Sequence, residues 1–168
     1  AVGRQASGMT EFLTKPIRKA DLTGLIDRLL GRVHAIVQQA TDEVEFDEER
    51  LSELLDSVGL KPFERILDTF ATDVRFDLAE VERAVAAADY PALRIRAHRL
   101  KGIFYQIGAC NAGRLAGMIE AAEGGEALVL ARSLLSYGPT AIEEALRHGE
   151  SLIVSHGFRA EAGGGVGT

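Results

Sequence analysis

The chain has 168 residues, a net charge of −6 and 46 % hydrophobic residues, which is room for one packed domain and part of a second. The acidic balance argues against general nucleic-acid binding, and the single cysteine, Cys110, excludes an intrachain disulfide and reads as a small packing residue of a reducing compartment. No apolar run approaches membrane-spanning length, no signal peptide or metal-ligating cluster is visible, and the tryptophan-free, alanine- and leucine-rich composition favours helices over strands.

Residues 1–38 do not read as the start of a domain. Ala1 to Ser7 fits the end of a helix closed by Gly8, and Glu11 to Thr14 fits a short strand. Lys15-Pro16 follows, and a helix is expected from Arg18 or Lys19 with the stripe Leu22, Leu25, Ile26, Leu29, Leu30, Val33 and Val37. The string GMTEFLTKPI resembles the last strand and the start of the final helix of the receiver domains of response regulators. The resemblance implies that Lys15 derives from a lysine that contacts a phosphorylated aspartate, and Pro16 from a proline after a cis peptide. The acidic cluster and phospho-accepting aspartate of that family are missing, so this remnant is expected to hold no magnesium and accept no phosphate. Its stripe would be costly in water, at ~1.5–3 kcal/mol for each buried aliphatic side chain. It is expected to pack on the following domain or on a second copy of the chain, with a homodimer through residues 18–37 as the simplest cover.

Residues 39–45 are polar, without apolar period, and read as a linker. A second domain is expected over 46–158. Asp47 is a fitting N-cap, with Glu48 and Glu49 in the first turn, and Leu51, Leu54, Leu55 and Val58 give a short helix ended by Gly59. A long helix follows Pro62 to about Ala87, with Phe63, Ile66, Leu67, Phe70, Val74, Leu78, Val81 and Val85 at steps of three and four. Asp89 and Pro91 start another helix that ends near Gly108. The next runs from about Asn111 to Ala122 on Leu115, Met118, Ile119 and Ala122. The last begins near Glu126, is expected to break at Gly138-Pro139, and resumes through Ile142, Ala145, Leu146, Leu152 and Ile153. The glycine-rich end, 159–168, is expected to be disordered. The fold class that follows is all-α: an up-down four-helix bundle with an extra short leading helix, preceded by a strand-helix remnant.

The segment AHRLKG, Ala97 to Gly102, carries the chemistry. Leu93, Ala97, Leu100, Phe104 and Ile107 form the inner stripe of its helix, while Arg94, His98, Lys101, Gly102 and Tyr105 fall on another face. An outward imidazole near neutral pH is a nucleophile, a lysine three residues on can face an incoming anion, and a glycine beside it lets a partner approach closely. Arg94, Arg96, Arg99 and Lys101 give the segment local positive charge. His148 and His156 share a helix face and read as two exposed histidines.

These residues resemble the histidine-containing phosphotransfer domain of bacterial phosphorelays. The match is His98-x-Leu100-Lys101-Gly102, with Ala97 before it and Gly108 ten residues after the histidine. The resemblance implies a four-helix bundle in which His98 accepts a phosphoryl group from a receiver aspartate and passes it to another receiver. It implies Lys101 at the phosphoryl oxygens, Gly102 as clearance for the receiver loop, and Glu120 as the group fixing the imidazole tautomer. Arg94 and Tyr105 are expected to contact the partner. No cofactor is expected in this chain; magnesium would come with the receiver. The receiver-then-phosphotransfer order suggests the C-terminus of a hybrid sensor histidine kinase, cytoplasmic, with its parent anchored in the inner membrane. The bulky Ile103, Phe104 and Tyr105 depart from the family's small residues after Lys-Gly. They leave room for a helical docking module that binds a receiver or other regulator without being phosphorylated. A helical enzyme with His98 as general base lacks a partner acid in the sequence.

Overall fold

The computed structural model describes residues 46–163 together with Gly24, Asp27, Arg28, Leu30, Gly31, Arg32, His34, Ala35 and Gln38. The proposed strand Glu11–Thr14, Lys15-Pro16, most of the expected stripe and the linker lie outside the described residues. The described residues between Gly24 and Gln38 are helical, Leu30 is half exposed, and Arg32 stands 3.8 Å from Glu126.

Residues 46–163 are all-α. Helix α1 is Glu48–Val58, α2 Leu60–Ala87, α3 Tyr90–Ile107, α4 Cys110–Ala121 and α5 Gly124–Gly163. The longer four follow one another through tight turns, and α5 packs back against α2 and α4 to close the bundle. Helix α1 covers one end against α2, α3 and α5.

Local chemistry accounts for the helix ends. Asp47 accepts from the Arg50 N–H and Asp89 from the Ala92 N–H, so both side chains satisfy donors that a helix start leaves orphaned. Gly108 closes α3 at φ 89°, and its carbonyl accepts from the Asp47 N–H at 2.8 Å. A side chain at Gly108 would run into the Asp47 carbonyl, so the glycine is needed for both its backbone angle and its clearance. Arg50 adds a bond from its guanidinium to the Tyr105 carbonyl, tying α1 to the end of α3.

The core runs through all five helices. Leu93, Ala97, Leu100, Phe104 and Ile107 are fully buried, and Phe104 meets Phe70 of α2 edge to face at 6.3 Å between centroids.

Two expectations about α5 are corrected. It is one continuous helix of 40 residues, with Pro139 inside it and no break at Gly138-Pro139. Gly138 is buried against Leu78, and Ala141, Ile142 and Ala145 go on burying the same face, so tertiary packing outweighs the missing Pro139 N–H. The helix also runs on to Gly163, past the expected ordered end at 158. Its buried face stops at Gly149, and Val154 and Phe158 are strongly exposed. Among the described residues no helix is long and apolar enough to cross a membrane.

Candidate functional site

Burial of the Leu93–Ile107 stripe turns the opposite face of α3 outward, and His98 is carried with it: its side chain is 69 % exposed. Its Nδ1 lies 2.7 Å from Oε1 of Glu120 on α4. The other carboxylate oxygen of Glu120 accepts from the Lys101 ammonium at 2.6 Å. Glu120 thus bridges two side chains of α3 while remaining only 27 % exposed.

The hydrogen bond from Lys101, then that from His98, holds the Glu120 carboxyl below its ordinary value of 4.5. An ionised carboxylate only accepts, so the proton between the two residues belongs to Nδ1. That leaves Nε2 with its lone pair facing away from Glu120. The arrangement is chemically that of an oriented nucleophile with a counter-charge behind it.

Gly102 is exposed within α3, and a Cβ there would meet nothing among the described residues within 4 Å. Neither packing nor backbone angle calls for glycine there, and it weakens the helix relative to alanine. The glycines of α4 differ. A Cβ on Gly113 would stand 3.1 Å from the Tyr105 ring, and one on Gly117 would stand 3.2 Å from Cδ of Lys101. Tyr105 is accordingly half-buried, with its ring against Gly113 of α4.

The local charge also differs from the expectation. Asp77 of α2 is fully buried and takes two arginines of α3. Arg96 donates to its Oδ1 at 2.9 Å, while Arg99 Nε lies 2.8 Å from Oδ2 at an angle too poor for a hydrogen bond. Arg96 and Arg99 therefore face α2, where Glu80 and Asp73 also stand within 4.0 Å of them. Only Arg94 and Lys101 of the four expected cations remain on the His98 side, and Lys101 is engaged by Glu120. His148 likewise has a packing role, stacked on Phe46 with ring centroids 4.3 Å apart.

A shallow groove of about 470 Å³ opens beside the imidazole, lined by Tyr90, Pro91, Arg94, Ile95, His98 and Glu120. Ile95 is 67 % exposed. Sequence reasoning passed over it, although an isoleucine off the inner stripe and three residues before His98 was the available signal. Asp77 was passed over too, despite sitting among Val74, Leu78 and Val81 in the core stripe of α2.

No family model and no curated protein matches the chain. Among solved structures, the chain is similar to the histidine-containing phosphotransfer protein B from Pseudomonas aeruginosa PAO1, at 25 % sequence identity and a TM-score of 0.42, over 71 % of this chain and 97 % of that one.

Proposed function

We propose that the bundle is a histidine phosphotransfer module of a two-component phosphorelay, with His98 as the phosphoryl carrier. The observation that carries the reading is the exposed imidazole of His98 with its Nδ1 held at 2.7 Å by Glu120. In the proposed step, Nε2 attacks the phosphorus of an aspartyl phosphate on a partner receiver. The N–P bond forms as the bond from phosphorus to the aspartate oxygen breaks, and the electron pair leaves with that carboxylate. Nδ1 keeps its proton, so the phosphorylated ring carries positive charge, which Glu120 offsets. The acidic site of the receiver would hold magnesium, which would draw charge from the transferring oxygens. Transfer onward to a second receiver is the same exchange reversed.

Gly102 fits this reading as clearance for a partner loop, since nothing among the described residues occupies its space. Arg94, Tyr90 and Ile95 offer a mixed basic and apolar rim to the receiver. The test is incubation with a receiver phosphorylated on its aspartate. Acid-labile, base-stable label on His98, absent in His98→Gln, supports the reading. Stable binding of the receiver with no label would make the bundle a docking module instead.

A further inference from the structure

We propose that Gly117 is a positioning residue of the His98 site: it leaves the gap through which Lys101 lies along α4 and reaches Glu120. Gly117 sits within α4 at an ordinary helical angle, since the positive-φ glycines among the described residues are Gly59, Gly108 and Gly124. Conformational freedom therefore gives no reason for it, and a glycine inside a helix is unfavourable. Its surroundings supply a reason: outside its own helix, the described atoms that a Cβ there would meet within 4 Å are Cδ of Lys101 at 3.2 Å and Cγ at 3.9 Å.

The lysine stem fills the missing side chain's place, and its ammonium ends 2.6 Å from Oε2 of Glu120. Glu120 follows Gly117 by one helical turn on the same face of α4. The sequence of contacts is Gly117 to the Lys101 stem, Lys101 to Glu120, and Glu120 to Nδ1 of His98. In this arrangement Lys101 acts on the nucleophile through Glu120, by keeping that carboxylate ionised and in one rotamer.

The proposal deepens the phosphotransfer reading, but its main readouts need no phosphoryl donor. In the full chain, Gly117→Ala and Gly117→Leu are compared with Lys101→Met. The Glu120 carboxyl is followed by ¹³C NMR titration and the His98 tautomer by side-chain ¹⁵N shifts. Gly117→Leu displaces the stem, so the Glu120 midpoint moves up from its depressed value and the Nδ1–H tautomer loses population. Gly117→Ala, which asks the stem to yield by a few tenths of an ångström, gives a smaller shift in the same direction. Lys101→Met, which leaves α4 untouched, reproduces the full upward shift. Transfer slows in step, by about tenfold for Lys101→Met. Unchanged Glu120 titration in Lys101→Met overturns the proposal even if Gly117→Leu fails to fold. So does a folded Gly117→Leu with the wild-type midpoint and tautomer. Absence of transfer in the wild-type chain would instead count against the function and leave these NMR outcomes readable.

Discussion

His98 and Glu120 meet across two helices, Nδ1 to Oε1 at 2.7 Å, from positions 22 residues apart in the chain. Because Glu120 titrates below its ordinary 4.5, its contribution to stability is present above that value and is lost as pH falls through the depressed one. The imidazole should therefore stay oriented throughout the neutral and mildly acid range. Urea melts of the wild type and Glu120→Gln at a series of pH values check this: the difference between them should shrink as pH falls through the carboxylate range. Glu120→Ala should slow phosphotransfer about 10- to 100-fold, the worth of one hydrogen bond to a charged group.

At Gly102 the expected effects on stability and transfer run in opposite directions. Open space around the missing Cβ means that Gly102→Ala should stabilise α3 by up to ~1 kcal/mol. Gly102→Gln should fold as well and yet transfer poorly, because the added side chain stands where the partner must approach. Melting temperature and transfer rate measured on the same samples separate the two effects. Normal transfer in Gly102→Gln would remove the steric argument.

Asp77 is structural. Its carboxylate is fully buried, whereas its partners Arg96 and Arg99 are 29 % and 51 % exposed and can return to water. Asp77→Asn should therefore cost about 1–3 kcal/mol, below the penalty for stranding a fully buried pair. Chemical denaturation measures that loss. The transfer rate of the folded fraction should stay within about twofold of wild type, since less than 0.5 kcal/mol is expected to reach the opposite face.

Gly108 is the most demanding glycine of the site-bearing helix. A methyl there meets the Asp47 carbonyl at a positive backbone angle, so Gly108→Ala should cost at least ~1–3 kcal/mol. It should also break the Asp47–Gly108 hydrogen bond, and hydrogen exchange at the Asp47 amide would show faster opening than at the amides within α3.

The sequence was most informative where a single helix supplied the whole argument. Periodicity placed Leu93, Ala97, Leu100, Phe104 and Ile107 inside, and Asp47, Asp89 and Gly108 at helix ends, because a 3.6-residue repeat and a capping side chain are local properties. Relations between helices were harder to read. Nothing local to α3 says that Arg96 and Arg99 face Asp77, since an arginine beside a core stripe reads the same whether water or a buried carboxylate awaits it. Pro139 was misread for a related reason. Its cost to the helix is local, whereas the contacts that offset it come from Leu78 on α2. The placement of Glu120 beside His98 was anticipated from family resemblance, and helical periodicity alone does not indicate it. Leu22, Leu25, Ile26 and Leu29 lie outside the described residues.

The turn at Gly108 and Ala109 has a consequence for how the molecule assembles. His98, Lys101, Gly117 and Glu120 all belong to the helical hairpin that this turn joins, so closing one short loop brings them together. Loop-closure entropy is smallest for such near neighbours, and helical bundles dominated by local contacts fold on the microsecond-to-millisecond scale. The reactive geometry is thus specified by a contiguous stretch of chain, and α1, α2 and α5 serve to hold that hairpin in place.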